Sequence, residues 1–361
     1  MRRLSFLALL AALALAAPQA LHADEARGEI RWLDAGSPGA DLRALDGSPL
    51  EGDLGVIEVP ENRARPGSKS LEIAFVRFRT THPDPGPPIF FLAGGPGGSG
   101  IEGAAIVATH PQIRLLEHSD VIGVDQRGTG RSLPDLTSFR ATSRRRLPLD
   151  RALSRQELLD ALERAARETG EYWRGRGVDL AAYTTAESAD DLEAVRRALE
   201  IPKIVLYGGS YGSHLGLAYL RRHGERVERA VLSKVEGPDH TFKLPSTVQR
   251  HLERVQAELA ANPAIGLPDL EETLRRLLRT LETAVVFAEP PPEADAEEPV
   301  AEGATPGAVR LSPIDLQIAV ARALASSRDL AALPATLARF ERGEWAELAA
   351  TALEIRRLEV H

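Results

Sequence analysis

The chain has 361 residues, a formal net charge of −8 and 43% hydrophobic residues, which is typical of a globular protein with one large domain or two. The acidic balance argues against nucleic acid as the main partner. Because there is no cysteine and the nine histidines are scattered, disulfides and a thiolate nucleophile are excluded, and we expect neither a metal nor a cofactor.

The N-terminal 23 residues have the three parts of a secretory signal peptide. Arg2 and Arg3 precede an apolar run over residues 4–17, and small residues follow up to Ala23. The run is shorter than the roughly 20 residues that a membrane span needs, so an uncleaved anchor is the weaker alternative. Cleavage after Ala23, or after Ala20, predicts a secreted or periplasmic protein.

Strand-like segments that end in glycine-rich loops follow the signal region, a pattern typical of a parallel α/β sheet. The first two segments, 53–59 and 70–79, flank a turn-rich stretch and predict an antiparallel pair. Short apolar runs predict buried strands at 89–93, 120–124, 204–207 and 229–233. Amphipathic spacing predicts helices over 154–174 and 184–200.

The last third of the chain changes to helical character. Four segments have helical spacing of apolar residues: 245–261, 268–284, 313–327 and 343–358. Between them, residues 289–307 contain six carboxylates and no basic residue, which predicts a mobile loop. We therefore predict three parts, a signal peptide (1–23), an α/β core (24–240) and a helical cap region (241–361).

Ser210 lies in a Gly-x-Ser-x-Gly sequence between a predicted strand and an apolar-periodic helix. In that context the pattern is typical of a nucleophile elbow, in which a serine on a sharp turn attacks a carbonyl carbon. A plain turn serine is the alternative. The oxyanion would be held by the backbone N–H groups of Tyr211 and of Gly95, which lies in the loop after the first buried strand. A phosphate-binding loop is disfavoured at 94–100, because the lysine and Ser/Thr of a P-loop are missing.

Three motifs in this order, FLAGGPGGSG, GVDQRGTGRS and LYGGSYGSHLGLAYLRRH, resemble the α/β-hydrolase family of proline iminopeptidases and the related secreted tripeptidyl aminopeptidases. The resemblance covers about residues 50–240. It implies an α/β-hydrolase fold with a helical cap and a serine exopeptidase that forms an acyl-enzyme on Ser210, with a peptide as substrate. Ala93 replaces a histidine found in many members, and Asp125 and Arg127 match a motif that is mainly structural in the family.

The family's catalytic acid and histidine follow the last two strands of the sheet, beyond the cap, and neither motif is present here. We therefore expect a truncated, weakly active or inactive chain that lacks those strands, with the strand at 229–233 as an unprotected edge. The residues that could replace the family's acid and histidine are poor candidates for a catalytic role. Asp239 and His240 are adjacent and point in different directions, His214 lies along the elbow helix, and His361 is the final residue.

Glu236 follows the strand at 229–233, and its carboxylate could bind the free amine of a peptide, although an exposed loop glutamate is the plainer interpretation. Two other functions stay open. One is an inactive hydrolase-like protein that binds peptides or partners, and the other is an α/β-hydrolase esterase. The sequence leaves residue preference and oligomeric state undetermined.

Overall fold

The computed structural model describes residues 28–34, 42–138, 147–239, 245–265, 267, 269–290 and 308–357. The predicted signal peptide, nearly all of the predicted acidic loop, His240 and His361 lie outside these residues.

Seven strands form one sheet in the order β1-β2-β3-β5-β4-β6-β7. Their bounds are Arg31–Trp32 (β1), Asp53–Pro60 (β2), Ser70–Phe78 (β3), Ile89–Leu92 (β4), Val121–Val124 (β5), Ile204–Gly209 (β6) and Val227–Ser233 (β7). Strands β1, β2, β3 and β5 pair antiparallel in that order, whereas β5, β4, β6 and β7 run parallel. The predicted antiparallel pair and the four predicted buried strands are therefore confirmed as strands, within one or two residues at most ends.

The centre of the sheet is buried because its strands are continuous apolar runs covered by helices. Phe90 in β4 and Ile122 in β5 are fully buried, and burial of a side chain of this size contributes roughly 1.5–3 kcal/mol. Four helices occur in this part of the chain: Gly100–Thr109 (α1), Arg155–Gly175 (α2), Thr185–Ala198 (α3) and Tyr211–His223 (α4). Helix α3 begins where Thr184 accepts a hydrogen bond from the backbone N–H of Glu187, a standard N-cap.

Strand β7 is the edge of the described sheet, as predicted. It pairs with β6 on one side, and no strand among the described residues pairs with its other side. Its residues are mostly exposed, with Val231 at 47%, so the predicted burial of the strand at 229–233 is wrong. An edge strand of this kind presents unpaired backbone groups that can pair with another chain.

The C-terminal region is helical and has its own apolar core. Its helices are Pro245–Ala261 (α5), Leu270–Thr283 (α6), Pro313–Ala323 (α7), Ser327–Glu341 (α8) and Ala346–Arg357 (α9). Leu270, Leu277 and Leu281 form the buried face of α6 at helical spacing.

Arg356 of α9 forms a buried ion pair with Asp315 of α7 and links this helical region to the segment that precedes α2. The side chains of Arg356 and Asp315 are both fully buried, and their charged atoms are 2.6 Å apart. Arg356 also donates hydrogen bonds to the carbonyl oxygens of Pro148 and Arg310, at 2.8 and 2.7 Å. The segment from residue 147 therefore packs on the helical region.

Some elements were absent from the sequence prediction. Helices α1 and α8 and strand β1 were not predicted, and neither was the antiparallel pair of Phe287–Ala288 (β8) and Val309–Arg310 (β9). Helix α8 contains Pro334 in its interior, and proline disfavours an interior helical position. Packing of Leu333 and Leu337 in the helical core offsets that preference.

Candidate active site

Ser210 stands at the turn between β6 and α4. Its φ of 55° and ψ of −130° are strained for a residue with a side chain, and such conformations cost about 1–3 kcal/mol. The turn is tied to the neighbouring strand, because the Ser210 N–H donates to the carbonyl of Ser233 at 3.1 Å. The geometry is that of a nucleophile elbow at the carboxyl edge of the sheet.

The two glycines of the elbow are required by close backbone approach. A Cβ on Gly208 would lie 2.8 Å from the carbonyl oxygen of Gly212. A Cβ on Gly212 would overlap the carbonyl oxygen of Leu92 at the end of β4. The absence of side chains at these two positions lets β4, β6 and α4 meet.

The predicted oxyanion donors lie on two segments that converge at Ser210. Tyr211 follows the serine directly, and its phenol is 3.1 Å from Thr185 Oγ1. Burial raises the pKa of that phenol, while the Thr185 contact opposes the rise. Gly95 is in the loop after β4 and has a φ of 119°, a backbone conformation that glycine adopts readily. The preceding Gly94 lies against the elbow, since a Cβ on it would be 3.6 Å from Ser210 Cβ. The donor roles of Gly95 and Tyr211 stay predictions.

Glu236 lies beside the serine. Ser210 Oγ donates a hydrogen bond to Glu236 Oε1 at 3.2 Å. The backbone N–H of Glu236 donates to Ser213 Oγ at 2.9 Å, and Ser213 Oγ donates to the Ser210 carbonyl at 2.6 Å. The sequence predicted Glu236 near substrate but not this direct contact with the nucleophile. Glu236 lies three residues after the end of β7, and β7 pairs with the elbow strand β6. This position in the sequence is the signal that could have indicated the contact.

Asp125 and Arg127 have structural partners, as the resemblance implied. Asp125 accepts hydrogen bonds from Ser99 Oγ and the N–H of Ile101, at 2.7 and 3.0 Å. Arg127 forms a two-pronged pair with Asp191, with distances of 2.7 and 2.8 Å. These bonds connect the loop after β5 to α1 and α3.

Among the described residues, no histidine ring is hydrogen-bonded to Ser210. His214 stacks on the Tyr211 ring, and its Nδ1 lies 3.3 Å from the carbonyl oxygen of Gly237. His223 bonds to Asp190 at 2.9 Å at the far end of α4. Asp239 is exposed. The structure therefore brings Ser210, Gly94 and Glu236 together, and no imidazole in the part of the chain that it describes is hydrogen-bonded to the serine.

The described residues contain neither a metal-binding cluster nor a membrane-spanning helix. In the described ranges, no group of three or more His, Cys, Asp or Glu side chains is arranged to hold a metal ion. None of the helices there combines the length and the apolar character needed to cross a membrane.

Residues 87–303, more than half of the chain's 361 residues, match a family model described as the alpha/beta hydrolase fold. The chain belongs to the α/β-hydrolase family. The strand order and the elbow described above agree with this assignment, and the predicted fold class is confirmed.

Several curated α/β-hydrolase relatives are peptidases by name. The chain is 30% identical over 217 residues to the serine protease Hip1 of Mycobacterium tuberculosis strain H37Rv, covering 58% of this chain and 40% of that protein. It is 31% identical over 228 residues to a tripeptidyl aminopeptidase of Streptomyces coelicolor, covering 59% and 41%. A proline iminopeptidase of Neisseria meningitidis serogroup B is 34% identical over 154 residues, covering 42% and 33%.

The chain thus spans about two fifths or less of the length of these relatives. Their names support a hydrolase of the serine peptidase type. Among solved structures, a thermophilic esterase from Thermogutta terrifontis aligns with a TM-score of 0.31 and 18% identity, covering 63% of this chain and 62% of that one. That likeness is too weak to carry an argument.

Proposed function

We propose that this α/β-hydrolase is a serine exopeptidase that removes residues from peptide N-termini through an acyl-enzyme on Ser210. The observation that carries the proposal is the strained conformation of Ser210 at the elbow, at the carboxyl edge of a parallel sheet. Gly95 and Tyr211 supply the backbone N–H groups for the oxyanion. The names of the aminopeptidase relatives support the choice of peptide substrates.

The rate is low. A positioned histidine contributes about 10²–10⁴-fold to acyl transfer, and no described histidine contacts Ser210. Removing a member of a triad leaves residual catalysis from the oxyanion hole and binding. A chain with this site therefore turns over peptides slowly.

The experiment compares one decapeptide in two forms, with a free and with an acetylated N-terminus, and follows the products by mass spectrometry. An exopeptidase shortens the free peptide from its N-terminus and leaves the acetylated peptide intact. Ser210→Ala is the matched control and abolishes the products. Internal cleavage of both peptides would contradict the exopeptidase assignment.

A second candidate is a protein that binds peptides without hydrolysing them. The lack of a described histidine at Ser210 is the observation that favours it. In that case the free peptide binds to the unaltered chain and to Ser210→Ala with the same affinity, and neither protein releases product. Calorimetry alongside the product assay separates the two candidates.

We further propose that the chain is exported through residues 1–23, because they have the three parts of a signal peptide. Expression of the full chain in a bacterium and mass spectrometry of the secreted or periplasmic protein tests this. The expected N-terminus is Asp24, or Leu21 if cleavage follows Ala20. Retention of Met1 in the cytoplasmic fraction would contradict it.

A further inference from the structure

We infer that Ser213 fixes the peptide unit between Ser210 and Tyr211 and so aims the Tyr211 N–H at the substrate oxyanion. The inference rests on the proposed function. There, Ser210 Oγ bonds to the substrate carbonyl carbon, the C=O π electrons move onto oxygen, and the Tyr211 N–H binds the oxyanion. Ser213 contacts neither the substrate nor the reacting atoms in this role. It is a positioning residue that acts through the backbone of the nucleophile.

The Ser210 carbonyl oxygen accepts two hydrogen bonds from Ser213. The backbone N–H of Ser213 donates at 2.8 Å, and its Oγ–H donates at 2.6 Å. Because Ser213 is fully buried, the surroundings strengthen both bonds relative to bonds made in water. One donor would let the carbonyl pivot about a single bond, whereas two donors from one residue fix its direction.

The direction of this carbonyl determines the direction of the Tyr211 N–H. The two groups belong to one planar, trans peptide unit, in which they point in opposite directions. Donors that hold the Ser210 carbonyl therefore also hold the Tyr211 N–H. Tyr211 is the first residue of α4, where a backbone N–H has no acceptor within the helix. Hydrogen bonds to the carbonyl also polarise the peptide unit and make its N–H a stronger donor.

The backbone of Ser210 needs support of this kind. Its φ of 55° and ψ of −130° persist only where the surroundings over-determine them. The Ser210 N–H is held by the Ser233 carbonyl at 3.1 Å, and Ser213 holds the carbonyl side. Ser213 Oγ also accepts a hydrogen bond from the Glu236 N–H at 2.9 Å. One buried hydroxyl therefore joins the elbow, the first turn of α4 and the segment after β7.

A contribution to folding alone is the competing role, because serine hydroxyls commonly donate to a carbonyl three residues earlier in a helix. Ser132 offers the same chemistry elsewhere. It is fully buried, and its Oγ donates to the Asp125 carbonyl at 2.6 Å and accepts from the Ala74 N–H at 3.0 Å. The peptide unit that Ser132 holds carries no proposed oxyanion donor. The two serines therefore separate a general effect on stability from an effect on the oxyanion.

The experiment measures kcat and KM for p-nitrophenyl acetate and for its thiono analogue, in which sulfur replaces the carbonyl oxygen. Sulfur is a weak hydrogen-bond acceptor, so the oxyanion donors favour the oxygen substrate. We expect Ser213→Ala to lower kcat for the oxygen substrate about 10-fold, short of the roughly 100-fold for loss of an oxyanion donor. KM stays unchanged, because the interaction is made only in the transition state. The thiono substrate loses little, so the ratio of the two kcat values falls.

Three variants complete the set. Ser213→Thr keeps the hydroxyl and restores the ratio. Ser213→Cys supplies a thiol of similar size that is a weak donor, so it lowers the ratio part of the way and covers the case in which Ser213→Ala does not fold. Ser132→Ala is the matched control, which lowers the free energy of unfolding in urea and leaves the ratio unchanged.

Equal losses on both substrates in Ser213→Ala would place the effect at the nucleophile or in the fold and overturn the inference. A displaced Glu236 segment would give that result, because it acts on Ser210 Oγ and not on the oxyanion. An unchanged ratio in folded Ser213→Ala or Ser213→Cys would overturn it as well. If Ser210→Ala retains the ester rate, the proposed function itself fails, whatever Ser213 does.

Discussion

The α-carbon of Gly212 packs directly against the carbonyl oxygen of Leu92. A Cβ at position 212 would lie well under 3.0 Å from that oxygen, and both partners belong to buried backbone that cannot shift independently. The loop with Gly95 follows β4, and Ser210 directly precedes α4. The contact therefore fixes the position of the Gly95 loop relative to Ser210.

We expect Gly212→Ala to lower the free energy of unfolding by about 3 kcal/mol or more, at the upper end of the overpacking range. Urea unfolding followed by circular dichroism measures the loss. Gly175→Ala is the matched control, because Gly175 ends α2 with no atom near its would-be Cβ. The control should be neutral or slightly stabilising, and equal losses in the two variants would contradict the contact.

Arg127 should stabilise the fold and take no part in chemistry. Its side chain and that of Asp191 are both 1% exposed, and removing one partner of a buried pair costs about 3–5 kcal/mol. We expect Arg127→Ala to show this loss in urea unfolding. Arg322→Ala, which breaks an exposed pair with Glu354, should cost at most about 1 kcal/mol. Similar small losses for both variants would show that the Arg127 network contributes little.

Asp190 makes the free energy of unfolding depend on pH in the acidic range. Burial, the largest influence, raises the pKa of its carboxyl, but hydrogen bonds from His223 and Arg222 outweigh burial and lower the pKa to about 2. Its stabilisation is therefore present above the unfolded pKa of about 3.9 and is lost as pH falls through about 2.

The difference in unfolding free energy between the unaltered chain and Asp190→Asn should be about 2 kcal/mol at pH 7. It should shrink between pH 4 and pH 2, as the carboxylate becomes protonated in the unaltered chain. Urea titrations of both proteins across this window measure it, with the exposed Glu163→Gln as control. A difference that stays constant down to pH 2 would show that Asp190 is not the titrating group.

The exposed face of β7 should drive association between chains. Val231 is 47% exposed on an edge strand, and a lysine on such a strand blocks pairing with another edge. We expect Val231→Lys to reduce concentration-dependent light scattering at unchanged thermal stability. Ile106→Lys, at a similarly exposed apolar residue on α1, should leave scattering unchanged. Equal reductions would indicate a general effect of charge.

The parts of the fold that were predictable from sequence are those set by local pattern. The elbow strand and helix around Ser210, the buried runs of β4 and β5, and helix α6 follow from apolar spacing and from glycines at required positions. The resemblance also predicted β7 as the edge of the sheet, and β7 is the edge among the described residues.

Other features depend on contacts between distant residues and have no local signal. Pro334 argues against a helix at α8, and only the surrounding core makes that helix favourable. The pairing of β8 with β9 joins residues about twenty positions apart in strands of two residues. The bond between Ser210 and Glu236 spans two elements, so the sequence placed a glutamate at the sheet edge without indicating its partner.

The most direct measurement is mass spectrometry of the intact chain after reaction with a fluorophosphonate, which modifies nucleophilic serines. We expect one adduct, mapped by peptide analysis to Ser210, to form slowly in the unaltered chain and not at all in Ser210→Ala. An adduct that persists in Ser210→Ala, or a folded chain left unmodified after overnight reaction, would contradict the assignment of Ser210 as the nucleophile.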